Sequence, residues 1–349
     1  MKTRNISQAG AGRGRGAALC AAIMMVWGAA AAQAADIRDQ RVKFSYPVAQ
    51  DNPVGIAVDH YAKLVEQKSG GRIKVTGYPN ATLGNEIQAM SSAQGGILEM
   101  TVVSTAGAAG NVKELAIFDL PFIFQSPEEA DAVIDSEVGQ QLLDKFSAKG
   151  LVGMCYLDYG FRQVTNSKHP INRLEDFRDL KIRTLQNRVY IDIFKALGAN
   201  PLPLPYPETY TALETKAIDG QESSFLVTKS SSYQDIQKYL SETRHVYLPA
   251  VVMASKKFWD KLNDEERGVL QSACVETQAF HRDLSRQMEA DVVKELTAAG
   301  MVFNSIDPAE HERMVEVTAP VVEKYKPELG AALVDRTLEI ISEARNKAN

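Results

Sequence analysis

The sequence predicts an α/β fold in two lobes, joined by crossing strands and braced by one long helix. Strand and helix patterns alternate from residue 41 to residue 156, the order that builds parallel sheets covered by helices. The 349 residues, less a leader of 34, are too many for one core at roughly 100–200 residues per domain. A proline-free helical stretch over 263–299 would exceed roughly 50 Å at 1.5 Å per residue, more than the width of one lobe.

The first element is the leader, 1–34. Lys2, Arg4, Arg13 and Arg15 precede an alanine-rich apolar run that ends in Ala32-Gln33-Ala34, the pattern of a signal peptide cleaved near Ala34/Ala35. Polar residues follow at once, so the run reads as an export signal rather than a membrane span, and the mature protein is expected in the periplasm. The glycines of GAGRGRG follow no strand and do not form a phosphate loop. Cys20 follows Leu19 and precedes most of the apolar run, which argues against a lipoprotein.

Beyond the leader, Val42, Phe44 and Tyr46 alternate with polar neighbours and predict a strand over 41–46. Ile56, Ala57, Tyr61, Leu64 and Val65 share one face of a helix over 55–68, stopped by Gly70-Gly71. A strand over 72–78, a helix over 85–93 and a buried strand over 97–103 continue the pattern. Ser126-Pro127-Glu128-Glu129 opens a helix expected to run over 127–149, before another buried strand at 151–156. Leu180 and Ile182 mark a strand that ends at Arg183, and Val189, Ile193, Phe194 and Leu197 form the stripe of the helix after it. A short helix over 207–216, a strand start interrupted by Gly220, and a helix carrying Tyr233, Ile236, Tyr239 and Leu240 come next. The apolar strand over 245–254 contains Pro249, which argues for an edge, a bend or a crossing between lobes. Asn263 with Glu266 is the capping box of the long helix, and the tail from residue 308 is helical. The lobes divide as 35–158 with 250–288 and 159–249 with 289–349, with a ligand cleft between them.

Removing the leader's four basic residues from 39 Lys and Arg leaves 35 against 44 Asp and Glu, a formal charge of −9. A nucleic-acid binder carries the opposite bias. An anion ligand stays compatible, because surface charge is screened over roughly 10 Å while a buried donor cluster is not. Cys155 and Cys274 remain in the mature chain; an oxidising compartment permits a bridge, and two separate buried thiols are the preferred reading.

Arg162 and Arg183 stand where extended apolar segments end. A guanidinium offers paired planar donors and a permanent charge, which suits a carboxylate better than lysine does. In open α/β sheets ligands sit beyond the carboxyl ends of strands, close to helix N-termini that favour anions, and Arg183 occupies such a place. The bland alternatives are a structural ion pair for Arg183, and Asp158 or Glu222 as partner of Arg162. Asn166 reads as a turn residue, and Tyr210 and Tyr233 as core residues with polar tips.

The segments YGFRQVTNSKHPI, LEDFRDLKIRT, FKALGANPLPLPYPETYTALE and AIDGQES occur in that order, flanked by GGRIKVTGYPNATLG and FWDKLNDEER. As an ordered set across the mature chain they resemble the periplasmic solute-binding proteins of tripartite ATP-independent periplasmic (TRAP) transporters, the DctP family. The resemblance implies the two-lobed periplasmic binding protein fold, with a cleft that closes on a carboxylate. It makes Arg183 of the KIR motif the carboxylate partner, Arg162 of the GFR motif a second cationic contact, and Phe161 a wall of the pocket. Ser223 stands where the family often has asparagine in DGQENP, and Ser104 where sialic-acid binders carry glutamate, which disfavours sialic acid. Asn187 and Glu222 complete the candidate set.

The function so implied is capture of a small organic acid, best a sugar acid such as a uronate or aldonate, for delivery to the small and large TRAP membrane subunits. Uptake would be driven by an ion gradient, with the binding protein acting as a monomer. A C4-dicarboxylate is the alternative substrate, and presentation of the ligand to a sensor is an alternative role. A periplasmic hydrolase would need an activated nucleophile, yet no G-x-S-x-G, H-E-x-x-H or Cys/His arrangement is present. The five histidines lack metal-ligand spacing, and no cofactor or metal is expected.

Overall fold

The structure is a computed structural model that describes residues 37–348; the leader and its motifs lie outside the described residues. Period-two segments become strands where one face or both are covered. Val42 and Phe44 of β1 (Gln40–Ser45) are buried, and β1 pairs in parallel with β2 (Ile73–Tyr78) and with β3 (Met100–Ser104), buried at every position. Helix α1 (Pro53–Lys68) links β1 to β2, started by the Asn52 side chain on Val54 N and by Pro53. Helix α2 (Glu86–Gly95), opened by the capping box of Asn85 and Gln88, leads into β3, and one short turn, α3 (Thr105–Ala108), follows it.

The single helix expected over 127–149 is two, α4 (Pro127–Ile134) and α5 (Glu137–Asp144). Ser136 makes the break: its hydroxyl donates to Val133 O at 2.7 Å and accepts from Val138 N at 3.1 Å, closing one helix and capping the next.

Strand β4 (Leu151–Phe161) belongs to the first sheet, and one residue later β5 (Gln163–Asn166) belongs to the second. The second sheet is then built by β6 (Lys181–Thr184), α6 (Arg188–Ala196), β7 (Asn200–Pro203), α7 (Thr209–Glu214), β8 (Gly220–Ser223), α8 (Phe225–Ser230) and β9 (Tyr239–Glu242). Strand β10 (Tyr247–Ser255) returns to the first sheet. After α9 (Lys256–Trp259) come the long helix α10 (Asp264–Ala298), β11 (Val302–Ser305), α11 (Pro308–Leu329) and α12 (Ala331–Ala348). The orders are β2-β1-β3-β10-β4 and β11-β9-β5-β8-β6-β7. Both sheets are mixed because the crossing strands enter antiparallel to their neighbours.

The two crossings meet: Arg162 N, between β4 and β5, donates to Val246 O, between β9 and β10, at 2.8 Å. Pro249 lies inside the sheet, between β3 and β4, and not at an edge; a register shift at Leu248/Pro249 absorbs its missing N–H. The helix expected around Tyr233–Leu240 is a 3-10 turn (Tyr233–Asp235) followed by β9. Pairing with β5 and β11, and burial of Leu240 in an apolar cluster with Phe225, Val292 and Leu296, override the helical spacing. Gly220 lets β8 approach β5, since a Cβ there would meet Thr165 O at 2.2 Å.

Helix α10 is 35 residues long and packs on α1 and β4 beside the first sheet and on α8 and β11 beside the second. Cys274 of α10 is bonded to Cys155 of β4, with Cα atoms 5.8 Å apart, so the reading of two separate thiols is corrected. Helix α10 lies on β4 and brings together two cysteines that are 119 positions apart in sequence. A bridge of that span restricts the unfolded chain, so reduction or paired Cys→Ala replacement is expected to lower stability by about 2–4 kcal/mol. Denaturant titration with and without dithiothreitol measures this, and coincident midpoints would show that the bridge contributes nothing.

Candidate functional site

Arg183 is the third residue of β6 and is 2 % exposed. Strands β7 and β8 flank it, and its Nε and Nη2 donate to Leu204 O at 3.0 and 2.7 Å, which fixes the guanidinium plane. Among the described residues no carboxylate forms an ion pair with it. Burial opposes its charge and lowers its pKa, and neighbouring Arg162 acts in the same direction, against Tyr233, Glu222 and Glu86.

Arg162, at the strand crossing, is committed. Its Nε and Nη2 grip the Glu222 carboxylate, with Nη2 to Oε1 at 2.9 Å, and its guanidinium carbon lies 5.6 Å from the Tyr190 ring centroid. Glu222 is fully buried in β8 and also meets His245 Nε2 at 3.3 Å, while His245 Nδ1 meets Thr243 Oγ1 at 2.8 Å. Burial pushes the Glu222 carboxyl up, yet Arg162 and His245 together hold it below its usual range. Burial lowers the pKa of His245, against the pull of Glu222.

Both arginines line one cavity, together with Ser104, Ser223, Glu86, Tyr159 and Tyr206, and with Val48, Leu185 and Leu248 as apolar wall. Ser104, at the end of β3, caps α3 through Gly107 N and donates its hydroxyl to Glu86 Oε2 at 2.8 Å, while its N–H donates to Glu86 Oε1 at 2.7 Å. Burial raises the Glu86 pKa; the Ser104 bonds and the two arginines oppose the rise. Ser223 shares a hydroxyl contact with Thr228 at 3.2 Å. The Tyr159 hydroxyl is buried with no hydrogen bond among the described residues, and Tyr206 OH meets Ser231 Oγ at 2.6 Å.

Three candidates do not line this cavity: Glu222, which is paired with Arg162, and Phe161 and Asn187. Phe161 packs its ring against Tyr247, centroids 5.0 Å apart, under the Arg244 guanidinium. Asn187 lines a neighbouring groove of about 330 Å³ that holds neither arginine, and its side chain is engaged by Asp119 and Ala106. Asn166 is the turn residue expected, accepting from Lys168 N and His169 N. Tyr210 and Tyr233 stack beside Leu213 and Ile218 as core. Glu86, Tyr159 and Tyr206 were not singled out in sequence: an acid in the first turn of a capped helix carries the ordinary signature of a helix start. Among the described residues no group of His, Cys, Asp and Glu could hold a metal ion, and no helix is long and apolar enough to cross a membrane.

The cavity gathers two buried guanidinium groups and four hydroxyl-bearing side chains where strands cross between two sheets. The family model described as "Bacterial extracellular solute-binding protein, family 7", DctP, matches residues 44–328. The chain belongs to this family. Its two-lobed fold is that of TRAP solute-binding proteins, as the sequence implied. It is similar to the sugar acid binding protein DctPAm of Advenella mimigardefordensis in complex with galactonate, at 40 % identity over 88 % of this chain and 100 % of that one, with a TM-score of 0.87. A TRAP periplasmic solute-binding protein of Polaromonas sp. JS666 bound to D-erythronate is 34 % identical, over 86 % and 98 % of the two chains, with a TM-score of 0.82. The C4-dicarboxylate-binding protein DctB of Bacillus subtilis is 31 % identical over 87 % of each chain. Proteins of this family bind small acids as solutes and are not enzymes.

Proposed function

We propose that this DctP-family protein captures a hydroxylated monocarboxylic acid, of the aldonate or uronate class, in the periplasm. The observation that carries this is the buried guanidinium of Arg183, which has no acid partner among the described residues and faces a cavity walled by hydroxyl groups. A carboxylate seated on Arg183 completes the charge in a place where water is excluded, and such pairs are strong and directional. Glu86, across the same cavity, accepts hydroxyl hydrogens and repels a second carboxylate.

Arg162 stabilises this site indirectly, because Glu222 already takes its charge. The alternative, a C4-dicarboxylate, draws support from the relative named for that ligand, but it needs a second uncommitted cation. Hinge motion is proposed at the two crossings, Arg162 and 243–246, and closure then creates the surface recognised by the small and large membrane subunits. Export, the monomeric state and ion-driven uptake belong to the same reading. The bound form performs no chemistry.

Thermal-shift measurements with galactonate, galacturonate, erythronate, succinate and galactose test this. Saturation at about 100 times Kd stabilises the native state by about 2.7 kcal/mol, so the sugar acids are expected to raise Tm by several degrees. Galactose is expected to leave Tm unchanged. Glu86→Gln is expected to shift preference toward succinate by about tenfold, or ~1.4 kcal/mol. Stabilisation by galactose and by none of the acids would overturn the carboxylate reading; stabilisation by succinate alone would establish the alternative.

A further inference from the structure

Asn187 precedes α6 and uses every polar atom of its side chain. Oδ1 accepts from Val189 N at 2.8 Å and caps the helix. Nδ2 donates to Asp119 Oδ2 at 2.9 Å and to Ala106 O at 3.1 Å. The donor therefore caps the helix that follows β6 of the second sheet, while both acceptors sit on the segment that follows β3 of the first. Neither Asn187 nor Asp119 lines the cavity of the two arginines. Asp119 is fully buried, and its Oδ1 has no hydrogen bond among the described residues; the same is true of the Tyr190 hydroxyl on α6.

We propose that Asn187 is the latch of the closed cleft, joining the two halves through Asp119 and the Ala106 carbonyl and slowing release of the acid without touching it. This rests on the solute-binding reading above. Rotation of the halves apart breaks both bonds together and exposes the Asp119 carboxyl to water. Closing buries that carboxyl among groups that face it from three elements: Arg162 at the strand crossing, Glu222 on β8 and Tyr190 on α6. Burial pushes the Asp119 pKa up to about 8, with Glu222 adding to the rise and Asn187 and Arg162 opposing it. The sign follows: a carboxyl whose pKa is raised on closing favours the closed state fully below its ordinary value near 4, and loses that contribution as pH rises through about 8.

Asn187→Asp tests the latch, because aspartate caps a helix as well as asparagine does but cannot donate to Asp119. With galactonate as probe, stopped-flow dissociation from the variant is expected to be about tenfold faster than from wild type at pH 9.5, above the raised Asp119 pKa of about 8, with association within about twofold of wild type. At pH 5.5 a proton shared by the introduced carboxyl and Asp119 restores slow release. Asp119→Asn keeps an acceptor for Asn187 and is expected to preserve slow release while flattening its dependence between pH 6.5 and 8. Asp119→Ala combined with Asn187→Asp is expected to release no faster than either alone. Additive effects, or unchanged dissociation in Asn187→Asp while wild type binds galactonate, would overturn the latch and leave the binding reading standing. If no acid of the panel binds wild type, the binding reading fails and the latch falls with it.

Discussion

Arg183→Lys is expected to weaken acid binding by about 2 kcal/mol or more, roughly thirtyfold, although charge and approximate length are kept. The reason lies in how the native guanidinium is held. Two of its N–H groups are spent on Leu204 O, so the plane is fixed before a ligand arrives. A lysine ammonium would have to choose between that carbonyl and the acid, and it has no second parallel donor to offer. Arg183→Met separates binding from scaffold further. It removes a buried cation that has no acid partner among the described residues, so the unliganded protein should keep its stability or gain about 1 kcal/mol, while acid binding is lost. Calorimetry with galactonate and denaturant titration read the two effects independently. Unchanged affinity in Arg183→Lys would reduce Arg183 to a structural role, and so would strong destabilisation in Arg183→Met.

The place of Arg183 was legible in the sequence, because the strand pattern of Leu180 and Ile182 and the helical stripe that starts at Val189 put it near the end of a strand just before a helix, and β6 runs one residue further, to Thr184. Arg162 was legible as a position but not as a role. Asp158 and Glu222 were both open as partners, and only the pairing of β5 with β8, which sets Val164 opposite Glu222, decides for Glu222. Tyr233, Ile236, Tyr239 and Leu240 misled because their spacing suits a helix, while the long-range pairing that makes 239–242 a strand leaves no local trace. Glu86 was hidden for a related reason: its first-turn position explains it locally, and its place on the cavity wall depends on Ser104, 18 positions later. The long helix was the easiest element, since its capping box and absence of proline are local facts.

The largest loss of stability is expected from Glu222→Ala, at about 3–5 kcal/mol, because it strands a charge rather than removing one. Arg162 is 3 % exposed, and its pairing is with Glu222 alone among the described carboxylates. His245 would lose the same partner, although burial already favours its neutral form. Replacing both members of the pair, Glu222→Leu with Arg162→Met, should recover most of the loss, since the desolvated charges leave together. Binding offers a second readout of the same variant. An Arg162 freed from Glu222 becomes the second cation that a dicarboxylate requires, so succinate affinity should rise relative to galactonate in whatever fraction of Glu222→Ala stays folded. A cost under about 1 kcal/mol for Glu222→Ala would mean that water reaches the crossing, and the pair would then not support the proposal that Arg183 alone receives the ligand.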